Sequence, residues 1–187
     1  MGMPLSHTEW TADMLNDLPD DGNRYEVIDG ELFVTPAANL MHQVAASRLF
    51  LLVAPYAIHL GLVPLFAPTA VKFSERREVQ PDLLVVPRLP AGKPLVPLKS
   101  VGVLLLAVEI LSPSSLRADR YRKRALYQDE RVPDYWIVDT DSRTIERWTP
   151  NATQSEIFIS TLEWQPSPEH PPLSVDVAQY FRDVFGE

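Results

Sequence analysis

The run 101–111, Val-Gly-Val-Leu-Leu-Leu-Ala-Val-Glu-Ile-Leu, carries a single charge, Glu109. A stretch this short and this apolar reads as a strand buried on both faces, and such a strand belongs in the middle of a covered sheet. A carboxylate inside it needs a partner, because an unpaired buried charge costs on the order of several kcal/mol. An arginine or backbone amides would serve, and so would a hard cation, which takes oxygen ligands. Pro81-Asp82 opens a second apolar strand, Asp-Leu-Leu-Val-Val over 82–86. Asp is depleted in strands, and alone it would close a turn or cap the strand end. If the two strands are neighbours, the two carboxylates can share a divalent metal. Lys123, in the helix expected after the buried strand, then stands beside it as a charge for an attacking water or a phosphate. Its plainer role is a surface pair with Asp119.

The chain has 187 residues, which predicts one domain, 1–187. It has no cysteine, so a disulfide framework, a thiolate metal site and a Cys nucleophile are excluded. That composition fits a reducing, cytoplasmic setting. The N-terminal residues lack the basic-then-apolar pattern of a signal peptide, and no apolar stretch reaches membrane-spanning length without charge or proline. The net charge of −8 works against non-specific affinity for nucleic acid, which comes from Lys and Arg on phosphates. Arg117, Arg120, Arg122, Lys123, Arg124 and Arg131 nevertheless crowd one segment, so a local positive face is compatible with the overall sign. Arg120 and Arg124 are its candidate nucleic-acid contacts; the alternative is a solvated helix surface.

A first helix is expected from a capping box at residues 6–9 to about Leu18. A hairpin over 24–34 follows, turning at Asp29-Gly30. Asn39 can cap a helix from Leu40 to about Ala54 whose apolar face is Leu40, Met41, Val44, Ala45, Leu49 and Leu52; Pro55 kinks or ends it, and Gly61 stops any continuation. Short strands are expected at 62–66, 69–73 and 82–86, with 74–80 a polar turn and 87–99 a proline-rich loop. A helix begins in the serines after Leu111 and runs to about Gln128. A hairpin over 134–149, a strand at 156–161, a loop at 166–172 and a helix near 175–185 complete the chain. The order predicts an α/β (α+β) fold with helices on the faces of a central mixed β-sheet.

Other chemistries find little support. The four histidines are scattered, with no His-x-x-x-His pair for zinc. Glycine-rich phosphate loops and the Gly-x-Ser-x-Gly elbow are absent. Asp119, Lys123 and Tyr127 share a helical face. A lone His42 in the first turn of an apolar helix is ordinarily packed or exposed.

Taken in order, these motifs resemble one family: Arg24-Tyr-Glu-Val-Ile-Asp-Gly-Glu-Leu, His42, Pro81-Asp82-Leu-Leu-Val-Val, Val108-Glu-Ile-Leu-Ser-Pro-Ser-Ser, Asp119…Lys123…Tyr127, and Val132-Pro-Asp-Tyr-Trp-Ile-Val-Asp139. The chain resembles the Uma-type endonuclease family, within the PD-(D/E)XK restriction-endonuclease-like superfamily, over roughly residues 8–185. The resemblance implies a restriction-endonuclease-like core and a Mg²⁺- or Mn²⁺-dependent endonuclease. Asp82, Glu109 and the Ile110 carbonyl would be its metal ligands. Glu26, His42 and Tyr127 would be accessory groups. The superfamily pattern expects lysine two residues after the Glu; here that position is Leu111, and the role passes to Lys123. The implied partner is nucleic acid, DNA above all, with no membrane, and a homodimer would suit cutting of both strands. The rival expectations are a catalytically inactive nucleic-acid-binding or accessory protein that keeps the fold, and an interaction protein whose Glu109 serves only an ion pair.

Overall fold

In the computed structural model, residues 9–88 and 103–187 are described. The expected cap at residues 6–8, most of the loop 87–99 and the first two residues of the run 101–111 lie outside them. The first expected helix is instead a short 3₁₀ segment, Ala12–Asp17. Six residues before Pro19-Asp-Asp-Gly22 leave no length for an α-helix.

The hairpin forms as expected, with strands β1 (Arg24–Ile28) and β2 (Glu31–Thr35) paired antiparallel. Asp29 and Gly30 both take positive φ, the requirement of a tight two-residue turn. Helix α1 (Leu40–His59) starts where Asn39 Oδ1 accepts the His42 N–H at 2.9 Å. It passes through Pro55 rather than ending there, because the turn beyond it still buries Ala57. One lost backbone bond is offset by continued packing on the sheet. Gly61, at φ 73°, ends it, with the Leu62 N–H bonded back to the Ala57 carbonyl. The buried stripe is His42, Ala45, Leu49, Val53, Ala54 and Ala57. The expected face was therefore rotated: Leu40, Met41 and Leu52 point outward.

Strands β3 (Val63–Phe66), β4 (Val71–Ser74), β5 (Arg77–Val79) and β6 (Leu83–Val86) follow. The segment expected as a polar turn thus contains a strand: β5 pairs with both β1 and β4, and that pairing overrides its polar composition. The apolar run supplies β7 (Leu106–Ile110), buried at every residue. A helical stretch next widens into a π turn, Ala118–Lys123, and tightens into α2 (Arg124–Asp129). Strands β8 (Asp134–Asp139), β9 (Thr144–Trp148) and β10 (Glu156–Phe158) continue the main sheet. Strands β11 (Thr161–Trp164) and β12 (Leu173–Asp176), not anticipated as a pair, form a small sheet before α3 (Val177–Phe185).

The main sheet runs β10-β9-β8-β7-β6-β3, parallel only between β7 and β8. One of its faces, with Leu83, Val85, Leu106, Val108 and Ile110, packs under α1 and α3. Its other face, with Leu84, Val86, Ala107 and Leu111, packs against Ile28 of β1, Val79 of β5 and Tyr127 of α2. This is the expected central mixed sheet flanked by helices, with the four-stranded sheet β2-β1-β5-β4 added on the second face. Among the described residues no helix is long and apolar enough to cross a membrane.

Candidate active site

The antiparallel register of β6 and β7 pairs Leu83 with Val108 and Leu84 with Ala107. Continued one residue past the start of β6, that register sets Asp82 across from Glu109. Directly opposed residues project to the same side of a sheet, here the side facing β1 and α2. A hydrogen bond ties the two ends together: the Ile110 N–H donates to Asp82 Oδ2 at 2.7 Å.

Asp82 is held by three donors. Arg24 Nη1 reaches its Oδ1 at 2.8 Å, and His42 Nε2 lies 3.0 Å from its Oδ2, beside the Ile110 amide. Burial alone would raise its pKa, but the His42 hydrogen bond and the Arg24 charge outweigh burial and bring it down to about 2. Asp82 is therefore ionised at any physiological pH.

Glu109 sits in a different balance. Its Oε1 accepts from Lys123 Nζ at 3.0 Å and from the Tyr127 hydroxyl at 3.2 Å. Its Oε2 is buried and has no hydrogen-bond partner among the described residues. Burial pushes its pKa well up, Asp119 and Asp82 push the same way, and Lys123 only partly opposes them. Lys123 itself is buried, with Nζ at 3.0 Å from Glu26 Oε2 and 3.4 Å from Asp119 Oδ1. Burial works against its charge, yet Glu109, Glu26 and Asp119 outweigh that and raise its pKa. The expected Lys123–Asp119 pair exists, but inside the protein. Tyr127, whose pKa is driven up by burial and by Glu109, stays a phenol and donates. Glu26 Oε1 accepts the Gln80 N–H at 2.7 Å.

The π turn positions this set. The Arg124 N–H reaches back five residues to the Asp119 carbonyl, which also accepts the Tyr135 hydroxyl at 3.0 Å. Such widened turns recur at functional sites, where they re-aim side chains. The Arg120 carbonyl accepts Arg124 Nε at 3.2 Å.

The structure therefore gathers Asp82, Glu109, Lys123, Glu26, His42 and Tyr127 into one buried cluster. Arg120 and Arg124 are not in it. Arg120 pairs with Asp139 and Glu146 at 2.9 and 2.8 Å. Arg124 lies over the Trp148 ring, 4.8 Å from its centroid, and bonds Gln128. A phosphate would have to displace those contacts. Two members went unread as site residues: Asp119, buried on the same face as Lys123, and Arg24, whose i, i+2 spacing to Glu26 on a strand was the available signal.

Charge sums the cluster up. Four buried carboxylates, Glu26, Asp82, Glu109 and Asp119, face two permanent cations, Arg24 and Lys123, leaving an excess of two negative charges when His42 is neutral. Proton uptake by Glu109 or Asp119, whose pKa burial also raises, relieves it. One divalent cation would relieve it without a proton. Among the described residues no three His, Cys, Asp or Glu side chains form a ready cage. The donors present are two carboxylates and backbone oxygen, a set suited to a hard cation that keeps some of its waters.

A family model described as "Uma2: Putative restriction endonuclease" matches residues 12–178. No curated protein matches the chain. Among solved structures, the crystal structure of a putative nuclease belonging to DUF820 from Anabaena variabilis is similar, with a TM-score of 0.78 at 15% identity, over 93% of this chain and 98% of that one. At that identity the likeness speaks for the fold.

Proposed function

We propose, from the premise that the chain belongs to the Uma2 family of putative restriction endonucleases, that it is a divalent-metal-dependent endonuclease acting on DNA. The observation that carries this reading is the tie of Asp82 to β7 through the Ile110 amide, next to Glu109, with Lys123 at 3.0 Å from Glu109 and the Glu109 Oε2 unpartnered among the described residues. Asp82, Glu109 and the Ile110 carbonyl would hold Mg²⁺ or Mn²⁺. In a strand the N–H and C=O of one residue point the same way. The Ile110 carbonyl therefore faces the Asp82 side, where β6 has not yet begun. When bound, the ion activates a water and neutralises charge on the scissile phosphate.

The chain's own residues divide the remaining work. Arg24, His42 and the Ile110 amide orient Asp82 and keep it ionised. Tyr127 and Lys123 orient Glu109. Lys123 has three N–H donors and three carboxylates around it. A carboxylate that turns away releases one donor for the attacking water or a non-bridging phosphate oxygen.

Purified protein at low salt, given labelled single- and double-stranded DNA and RNA with Mg²⁺ or Mn²⁺, is expected to cleave DNA. Asp82→Ala, Glu109→Ala and Lys123→Ala should each abolish cleavage. A folded protein that binds DNA but cuts nothing with any divalent ion would make it the accessory protein instead. Activity that survives Glu109→Ala would belong to a contaminant.

A further inference from the structure

Asp82 and His42 also line a cavity of about 310 Å³ between one face of α1 and the end of β3. Gln43, Ser47, Phe50 and Leu51 supply the helical wall, and Phe66 the opposite one. The Phe50 and Phe66 rings meet edge to face, with centroids 5.2 Å apart. Phe66 is 60% exposed and Leu51 64% exposed, so a large apolar surface is presented to solvent directly beside a buried carboxylate. Pairing between β3 and β6 fixes this closeness: Phe66 lies opposite Leu83, the residue after Asp82.

The cavity is at the small end of ligand sites, which run to about 1,000 Å³. It can hold one planar ring system but not a duplex. Its polar rim is of the kind that reads a ring edge. The Gln43 side-chain amide makes no bond among the described residues, and the Ser47 hydroxyl donates to the Val44 carbonyl, leaving its oxygen free to accept. The net charge of −8, and the engagement of Arg120 and Arg124 within the fold, leave phosphate contacts as a weak source of affinity. Stacking on aromatic faces is the alternative source, and it serves every base.

We propose that this cavity holds one unstacked nucleobase adjacent to the scissile phosphodiester, so that the site acts on single-stranded or locally opened nucleic acid in preference to intact duplex. The inference rests on the phosphodiesterase reading above, since it is Asp82 that joins the cavity to the chemistry. Phe66 supplies the stacking face, and Gln43 and Ser47 meet the base edge.

The test uses the full-length protein in EDTA and low salt with a short oligonucleotide carrying 2-aminopurine, single-stranded or annealed to its complement. Binding of the single strand should change 2-aminopurine fluorescence and be at least about tenfold tighter than binding of the duplex. Phe66→Ala should weaken single-strand binding about 5- to 150-fold, the equivalent of one stacked base, and Phe66→Trp should restore it. Because Phe66 is largely exposed and loses only its edge contact with Phe50, both variants should stay folded and melt within about 6 °C of the wild type. In Mg²⁺ or Mn²⁺, the same substitution should raise KM for single strands. Equal affinity for single strand and duplex, or a Phe66→Ala variant that binds like wild type, would overturn the base pocket even if the protein cuts DNA. So would a Phe66→Ala variant that changes the sedimentation coefficient and not the fluorescence, since the face would then be covered by a second copy. A Phe66-dependent fluorescence change in a protein that cuts nothing would support the pocket and overturn hydrolysis.

Discussion

Replacing Asp82 by Asn tests whether this carboxylate is a clamped anion. Three donors converge on it at 2.7, 2.8 and 3.0 Å: the Ile110 amide, Arg24 Nη1 and His42 Nε2. They bring its pKa from 3.8 to about 2. A carboxyl whose folded pKa is depressed stabilises the fold above its unfolded pKa and loses that contribution as pH falls through the folded value. Here the window runs from about pH 4 down to about pH 2, and the contribution at pH 7 is about 2–3 kcal/mol. Asn removes the charge and also turns an NH₂ toward one of the donors, leaving a buried donor unmet for about 1–3 kcal/mol more. Asp82→Asn should therefore lose about 3–6 kcal/mol at pH 7, which for a chain of this size lowers Tm by about 6–24 °C. Urea unfolding followed by tryptophan fluorescence at several pH values measures it. The gap between wild type and variant should hold from pH 5 to 8 and narrow below pH 4, where the wild-type advantage titrates away. A variant as stable as wild type at pH 7, or a gap that does not narrow in acid, would mean that Asp82 is not a clamped anion.

Glu109→Gln should behave oppositely, because a carboxyl raised by burial favours its neutral form: the stability tied to that proton is present below about pH 4.5 and lost as pH rises toward the raised value. The variant should gain on wild type between pH 5 and 8 in the same urea titrations; a pH-independent difference would count against it. Lys123→Met leaves Glu26, Glu109 and Asp119 without the cation at 3.0–3.4 Å. It should lose about 3–5 kcal/mol at pH 7, as for a broken buried pair, and less as the pH falls, because burial raises the pKa of Glu109 and Asp119; calorimetric melting across a pH series reads this. Tyr127→Phe removes one hydrogen bond to Glu109 Oε1 and should cost about 1–3 kcal/mol in thermal melts while lowering, not abolishing, cleavage.

The parts of the fold legible in sequence were those whose signal is local. Asp29-Gly30 marked the hairpin, Asn39 the start of α1 and Gly61 its end. The apolar strands around Leu84 and Val108 announced the centre of the main sheet, where β6 and β7 are neighbours. What stayed hidden depended on tertiary contact. Helix α1 is apolar around most of its circumference, so periodicity could not say that Ala45 and Leu49 face the sheet while Leu40 and Leu52 do not. Strand β5 is polar by sequence and is a strand only because β1 and β4 lie on either side of it. The π turn at Ala118–Lys123 has no sequence mark, yet it sits where Lys123 and Asp119 both turn inward. Arg120 and Arg124 looked like exposed cations because their partners, Asp139, Glu146 and Trp148, lie on β8 and β9 across the fold.

The buried cluster holds two more carboxylates than permanent cations, a deficit that one divalent ion would make up. Calorimetric titration of Mn²⁺ into the protein at pH 7, repeated in two buffers of different ionisation enthalpy, tests it most directly. The expected result is one ion per chain, release of a proton as Glu109 or Asp119 gives way to the metal, and loss of binding in Glu109→Gln and Asp82→Asn. An absence of binding at millimolar Mn²⁺, or binding that both variants retain, would contradict it.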